Sequence, residues 1–302
     1  MAENKKKHPL SILFYTSVAL MAFAANSVLC RSALGETFID AAGFTIIRLI
    51  SGAAVLLLIL KFNGKKGRSD SHGSWISAAS LFTYAITFSY AYITLQTGTG
   101  ALILFGAVQL TMISGAILAG KRLRIHIWSG VVFAFSGLLY LVFPGLKAPT
   151  FAGALLMTVS GISWGIYSLK GRRSQNPLSD TTFNFLRSLL FVAILFLFSF
   201  HDFRISLNGF VLAVLSGAIA SGIGYSIWYA ALRGLSATRA GIVQLLVPVL
   251  AAFGGVIFIS EKISAHLIIS SVIILGGIGL TFLKGRELET IDSIYSPPQD
   301  HE

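Results

Sequence analysis

The composition of this 302-residue chain is that of a membrane protein. Hydrophobic residues make up 55% and charged residues 12% of the sequence, with a mean hydropathy of +0.78, whereas a soluble domain is about 25% charged. The net charge of +11 would favour a nucleic-acid partner in a soluble protein. Here the basic residues lie between apolar stretches, where they act as topology signals, so we expect a lipid bilayer and no nucleic acid as partner. The single cysteine, Cys30, excludes an internal disulfide and a thiolate metal site, and we predict no cofactor and no metal.

Ten apolar stretches are long enough to cross about 30 Å of hydrocarbon as helices. We interpret the first, which follows Lys5-Lys6-Lys7, as a membrane span and not a secretory signal, because its apolar part is too long. The sequence therefore predicts an all-α membrane protein with ten transmembrane helices and two short tails, 1–9 and 285–302. The predicted spans are 10–30, 39–61, 75–95, 99–119, 125–144, 150–169, 180–200, 208–232, 236–259 and 265–284.

The basic residues divide unequally between the two sides that ten spans would create. Seventeen of the 23 Lys and Arg residues fall on the side of the termini. By the positive-inside rule, this asymmetry predicts a bacterial inner-membrane protein with both termini in the cytoplasm. The opposite side has Arg31, Lys147, Arg204 and Lys262, and the remaining two, Arg48 and Arg187, lie inside spans.

The two halves of the chain repeat each other. A shift of 139 residues places Phe44-x-x-x-Arg48 on Phe183-x-x-x-Arg187, and a shift of 140 places His126 on His266. Because five helices is an odd number, tandem copies over 10–145 and 150–284 must have opposite orientations in the membrane. Such inverted repeats are typical of carriers that alternate between inward-open and outward-open states.

Each half has an arginine in its second helix and a fourth helix rich in small residues that runs into a charged turn. The second half ends that helix with Ser260-Glu261-Lys262 and contains Pro248, whereas the first half has Gly120-Lys121-Arg122 and no glutamate. With these features the chain resembles the EamA-type carriers of the drug/metabolite transporter superfamily over about residues 10–284. The resemblance implies export or uptake of amino acids, nucleotides or similar metabolites.

Arg48 and Arg187 are the most informative candidate site residues. A guanidinium within a span is costly unless it meets a partner, a carbonyl group or a wet cavity. One interpretation is that each bonds helix-end carbonyls and fixes the interface between the repeats. The other is that at least one binds the carboxylate or phosphate of a substrate, for which a bidentate arginine is suited.

Polar and aromatic side chains at mid-span are further candidates for lining a substrate cavity. A buried amide either bridges helices or faces such a cavity. The aromatic residues of the eighth span could instead form a belt at the membrane surface. Pro248 removes one backbone hydrogen bond, which predicts a gating hinge or a static kink. The candidates are Asn26, Tyr84, Tyr90, Gln109, Trp164, Tyr167, Tyr225, Trp228 and Gln244.

The sequence predicts a secondary transporter for a small organic metabolite, an amino acid or related compound, with export as one possible direction and a monomer as the functional unit. A passive channel and a dimer are the alternatives. No acidic residue lies at mid-span, which disfavours a carboxylate proton relay. We expect His126 and His266 to anchor their helices at the membrane surface or to titrate near neutral pH. An intramembrane enzyme is disfavoured because Gly161-x-Ser163-x-Gly165 has no His or acid within a span to activate the serine.

Overall fold

A computed structural model describes residues 9–62, 72–118, 125–142, 149–172, 174–199, 201, 203–235, 240, 243–244 and 246–282. Within these residues the chain is helical, and the single β contact is an isolated bridge between Ile39 and Ile205. The all-α prediction is therefore confirmed for this part of the chain. The predicted tails before Pro9 and after Phe282, and the turn Lys121-Arg122, lie outside it.

Helices occupy each predicted apolar stretch. They are α1 (Pro9–Gly35), α2 (Ala41–Phe62), α3 (Trp75–Tyr92), α4 (Thr97–Leu118), α5 (Ile125–Val142), α6 (Phe151–Gly171), α7 (Pro177–Ser199), α8 (Leu207–Leu232), α9 (Leu246–Ile259) and α10 (Ala265–Phe282). Six of them, namely α1, α2, α4, α6, α7 and α8, are long and apolar enough to cross a membrane by themselves. Shorter apolar helices lie in α5, α9 and α10. Helix α3 is continuous, but its sequence contains many Ser, Thr and Tyr residues, which lower its hydropathy.

Polar side chains cap the beginnings of the helices, where backbone N–H groups have no partner within the helix. The hydroxyls of Ser74, Thr150 and Ser206 each accept a hydrogen bond from the backbone N–H of the third residue of α3, α6 and α8, respectively. Asp40 accepts a hydrogen bond from Gly43 N at 2.7 Å at the beginning of α2. These caps fix the residues at which the helices begin, which apolar composition alone does not determine.

Two carboxylates connect the halves at the helix ends. Asp40, before α2, also accepts from the backbone N of Arg204 at 2.9 Å, just before α8. Asp180, in the first turn of α7, accepts from the backbone N of Gly73 at 2.9 Å, just before α3. The second helix of each half is thus tied to the third helix of the other half.

Helix α8 contains a π-helical segment, Ser216–Ile223, between two α-helical segments. The wider π turn shifts the register of the side chains that follow it, and such segments are frequent at functional sites. This segment packs against α1 and α2.

The packing of the helices follows one pattern in both halves. Helix α1 packs on α8 and α9, and α6 packs on α3 and α4. Helix α2 packs on α7 and α8, α3 packs on α7, and α5 pairs with α10. The two halves are therefore interleaved and do not form separate bodies.

The distribution of polarity is that of a protein surrounded by lipid. Large apolar side chains such as Phe14, Leu197 and Phe258 are exposed, whereas Arg48, Asn26 and other polar side chains are buried between helices. In a bilayer the apolar surface faces hydrocarbon, and polar groups must find partners inside the bundle.

Candidate functional site

The guanidinium of Arg48 lies in the interior of the bundle, and the residue is only 1% exposed. Its Nε donates to the Ser221 hydroxyl at 2.9 Å, and its Nη2 donates to the hydroxyls of Tyr225 at 2.6 Å and Tyr84 at 3.1 Å. Its buried Nη1 has no hydrogen-bond partner among the described residues. Neutral hydroxyls therefore accept from Nε and Nη2, and the two N–H groups of Nη1 stay available to a further acceptor.

A buried network continues from these hydroxyls. Asn26 Nδ2 donates to the Tyr84 hydroxyl at 3.1 Å, and the Ser216 hydroxyl donates to Asn26 Oδ1 at 2.5 Å. The two tyrosine hydroxyls are 3.0 Å apart. These six residues, Asn26, Arg48, Tyr84, Ser216, Ser221 and Tyr225, form the Arg48 cluster, which joins α1, α2, α3 and α8.

Small residues place α2 close enough to α8 for these contacts. A Cβ atom on Gly217, in the π-helical segment, would overlap the Arg48 carbonyl oxygen and the Ser51 hydroxyl. A Cβ atom on Gly52 would lie 2.9 Å from the Gly217 carbonyl oxygen. Backbones approach this closely only where side chains are absent, so both glycines are needed for Arg48 to reach Ser221.

Aromatic rings enclose the Arg48 cluster. The Arg48 Cζ atom lies 5.0 Å from the ring centroids of both Tyr84 and Phe88, a cation–π distance. Trp164 of α6 packs 4.6 Å from Tyr225, centroid to centroid. Phe23 of α1 makes an edge contact with Trp164 at 5.3 Å. The polar centre is therefore bounded by apolar ring surface from both halves of the chain.

No carboxylate neutralises Arg48 within the described part of the chain. Four acidic residues are described there, of which Glu36 is exposed, and Asp40 and Asp180 bind backbone N–H groups at helix ends. The fourth, Glu261, pairs with Arg31. The interior thus holds one positive charge surrounded by neutral donors and acceptors, which is costly unless an anion approaches it.

Four further predicted residues lie in the interior, and three of them contact the rings around this cluster or one another. Tyr167 stacks on Trp164 with centroids 5.4 Å apart, and Trp164 Nε1 donates to Gln244 Oε1 at 3.3 Å. Trp228 makes an edge contact with Phe23 at 5.5 Å. Because Trp228 is fully buried, it is not part of an aromatic belt at the membrane surface. Gln109 of α4 is also buried.

The structure does not bring Arg187, Tyr90 or Pro248 to this cluster. Arg187 is half-buried, donates to the His72 carbonyl before α3, and lies over the exposed Trp75 ring. Tyr90 is 41% exposed on α3. Pro248 is a buried residue of α9. The two arginines that match in the repeat therefore occupy different environments.

A second polar group lies nearer one end of the bundle. Glu261, in the turn between α9 and α10, accepts from Thr97 N at 2.9 Å and pairs with Arg31 of α1 at 3.4 Å. Arg31 Nη1 also donates at 3.0 Å to the Tyr92 carbonyl at the end of α3. Arg31, Thr97 and Glu261 form the Glu261 clasp, which closes α1, α3, α4 and the α9–α10 turn together.

Sequence reasoning missed several residues of the site. Ser216 and Ser221 were not among the predicted site residues, and Phe23 and Phe88 were indistinguishable from other apolar residues. The small residues between Ser216 and Gly224 were the available signal, since they let helices approach closely.

The fold and the interior define a class of protein: a multi-pass helical membrane protein with a polar site enclosed between its halves. Comparison with known proteins agrees with this. The chain is 47% identical over 268 residues to an uncharacterised protein of Pseudomonas aeruginosa, covering 89% of the chain and 93% of that protein. A crystal structure with 21% identity superposes with a TM-score of 0.62, covering 90% of this chain and 98% of that one, and shows the likeness of fold.

The family is identified by the second half and by more distant relatives. Residues 151–283 match the model of the EamA-like transporter family. An uncharacterised transporter of Archaeoglobus fulgidus is 23% identical over 298 residues, covering 94% of the chain and 100% of that protein. One of Bacillus subtilis is 25% identical over 248 residues, covering 78% and 85%.

The chain belongs to the EamA-like transporter family of the drug/metabolite transporter superfamily, and the resemblance predicted from its sequence is confirmed. It is therefore a membrane transporter of small solutes. The names of its relatives point to transport and away from an enzymatic role.

Proposed function

We propose that this protein is a secondary transporter that carries a small organic metabolite across the bacterial inner membrane by alternating access. The observation that carries the proposal is the Arg48 cluster, a buried polar centre with one unneutralised charge, built from helices of both halves. A purely structural protein would have little reason to retain a charge that costs several kcal/mol to bury.

The proposal includes ten membrane crossings, arranged as five-helix repeats over 10–145 and 150–284 in opposite orientations. The packing pattern supports it, because shifting every helix by five converts α1 on α8 and α9 into α6 on α3 and α4. The unequal distribution of basic residues supports cytoplasmic termini. Tails 1–9 and 285–302 would then both face the cytoplasm.

Closure at the two ends of such a bundle must alternate if the site is to be reached from each side in turn. The Glu261 clasp is a candidate for one of these closures. On α1, Arg31 lies five residues from Asn26 of the Arg48 cluster, about 7.5 Å along the helix axis. Breaking its contacts would free the ends of α1 and α3 and the beginning of α4.

Each chain contains the whole Arg48 cluster, so the proposal needs only a monomer. A role for Arg187, Tyr90 and Gln109 in binding, and of Pro248 in gating, stays a prediction from the sequence. Arg187 of α7 donates to the His72 carbonyl just before α3, which supports the alternative in which an arginine bonds carbonyl groups near a helix end.

Counterflow tests the proposal. Purified protein in liposomes, with no ion gradient, is preloaded with an unlabelled metabolite, and uptake of the same labelled compound is followed for a panel of organic anions, amino acids and nucleotides. A carrier shows saturable exchange that accelerates with the internal substrate. Flux that is unsaturable and independent of internal substrate would instead indicate a channel.

A further inference from the structure

Resting on the proposed transport function, we infer that the substrate is an organic monoanion with a carboxylate and no ammonium group, anchored by the Nη1 donors of Arg48. The inference narrows the metabolites suggested by the sequence, because free amino acids carry an ammonium group. It follows from counting donors, acceptors and charges in the Arg48 cluster.

The cluster has more donors than acceptors. A guanidinium has five N–H groups, and the described protein partners accept only from Nε and Nη2. The Tyr84 oxygen lies within hydrogen-bond distance of donors from Asn26, Arg48 and Tyr225. The Tyr225 hydroxyl lies 3.0 Å from that of Tyr84 and 3.4 Å from that of Ser221. These two contacts use two of the three hydroxyl protons, so one hydroxyl proton remains. The surplus donors suit a ligand that only accepts hydrogen bonds, as an ionised carboxylate does.

The charge of the cluster favours a monoanion. Arg48 contributes one positive charge, and the described acidic residues are exposed or engaged at helix ends. A single carboxylate would neutralise the interior, whereas a doubly charged phosphate ester would leave an excess negative charge in a closed, apolar bundle.

The Arg48 cluster offers an ammonium group no carboxylate. Its amide oxygen, Asn26 Oδ1, already accepts from Ser216 and keeps one lone pair for a further donor. The same ammonium would lie near the Arg48 charge and be repelled by it. An amino acid would therefore lose at its ammonium group the binding free energy that it gains at its carboxylate.

The enclosure of the cluster favours an apolar body on the substrate. Phe23, Phe88 and Trp164 surround it, and the rings of Phe23 and Tyr225 are 5.8 Å apart. A ligand that displaces these rings removes their packing contacts. It restores such contacts if it presents an aromatic or branched apolar group in their place.

The test is a set of compounds that share a phenylpropyl body and differ in charge: 3-phenylpropionate, phenylalanine, 3-phenylpropylamine, 3-phenylpropanol and 3-phenylpropyl phosphate. Binding to the purified wild-type protein is measured by tryptophan fluorescence, and exchange is measured by counterflow in liposomes. We expect 3-phenylpropionate to bind and exchange, with each of the others weaker by about tenfold or more, the size of one charge-assisted hydrogen bond.

Variants link the selectivity to Arg48. Arg48→Gln should weaken binding of 3-phenylpropionate by about ten- to a hundredfold, and Arg48→Lys should retain part of it. Arg172→Gln removes the same charge at an exposed position at the end of α6 and should leave binding unchanged. Because selectivity is measured on the wild-type protein, a poorly folding variant does not prevent a decision.

The outcomes separate the two proposals. Exchange of phenylalanine, the amine or the phosphate ester as strong as that of the carboxylate would overturn the charge class while the carrier stands. Carboxylate exchange unchanged in folded Arg48→Gln would overturn the role of Arg48. Failure of every compound to bind, together with failure of the broader metabolite panel to exchange, would overturn both the substrate class and the proposed carrier.

Discussion

The Tyr84 hydroxyl is the meeting point of the buried network. It receives hydrogen bonds from Asn26 of α1 and Arg48 of α2, and it contacts Tyr225 of α8. A single oxygen on α3 therefore satisfies donors from three other helices. Buried donors that lose their acceptor bear the full cost of desolvation, which is larger than the net contribution of an ordinary hydrogen bond.

Tyr84→Phe should consequently lower the free energy of unfolding by about 1–3 kcal/mol. Thermal or denaturant unfolding of the purified protein in detergent measures it. Tyr90→Phe, on the same helix but 41% exposed, makes the same chemical change outside the cluster and should cost less. Equal effects of the two substitutions would mean that the network contributes nothing particular at Tyr84.

Arg48 and Arg187 show why equivalent positions in a repeat need not share a role. The first is enclosed by hydroxyls and rings in the interior, and the second bonds a loop carbonyl beside the exposed ring of Trp75. The repeat in the sequence could predict that both would need partners. It could not predict which partners, because these come from other helices whose register is set by packing.

At the scale of the elements, the contact between α2 and α8 depends on glycine. Gly217, in the π-helical segment, lies directly against the backbone of Arg48 and leaves no room for a methyl group. Helix α2 can approach no closer to α8 than this residue permits, and the Arg48–Ser221 hydrogen bond depends on that approach.

Gly217→Ala should therefore destabilise the protein by about 1–3 kcal/mol through overpacking and weaken substrate binding. Gly279→Ala is the matched control, since a Cβ atom there would meet nothing within 4 Å, and alanine favours a helix over glycine by up to about 1 kcal/mol. The comparison is made by unfolding both variants under one condition. A neutral Gly217→Ala would show that α2 and α8 can separate without cost.

The Glu261 clasp gives a second prediction at this scale. Glu261→Ala leaves Thr97 N and Arg31 without their carboxylate partner, so we expect the conformation closed at this end to become less populated. Thiol labelling of a cysteine placed in the interior should become faster from that side. Slower or unchanged labelling would show that the clasp does not hold the end closed.

Much of the helical layout could be predicted from the sequence, because apolar length and polar caps decide it locally. The span predicted for 39–61 is α2 at Ala41–Phe62, and that for 208–232 is α8 at Leu207–Leu232. The π-helical segment within α8 could not be predicted, since it arises where the helix accommodates α1 and α2. Ser216 and Ser221 became site residues only through that tertiary contact.

For the whole molecule, the interleaved halves enclose a site that is buried in this structure. All six residues of the Arg48 cluster are buried, and the most exposed of them, Tyr84, is 4% exposed. A carrier must expose such a site to each side in turn, whereas a channel must expose it to both at once. The accessibility of the Arg48 cluster from each side therefore separates a carrier from a channel.

The most direct test is the accessibility of Ser221→Cys in a Cys30→Ser background, which removes the single native cysteine. Oriented membrane vesicles are treated with a membrane-impermeant thiol reagent from one side or the other, with and without substrate. For a carrier, we expect slow labelling from each side and protection by substrate, without leakage of the reagent across the membrane. Labelling from one side alone under all conditions, or passage of the reagent through the protein, would contradict this expectation.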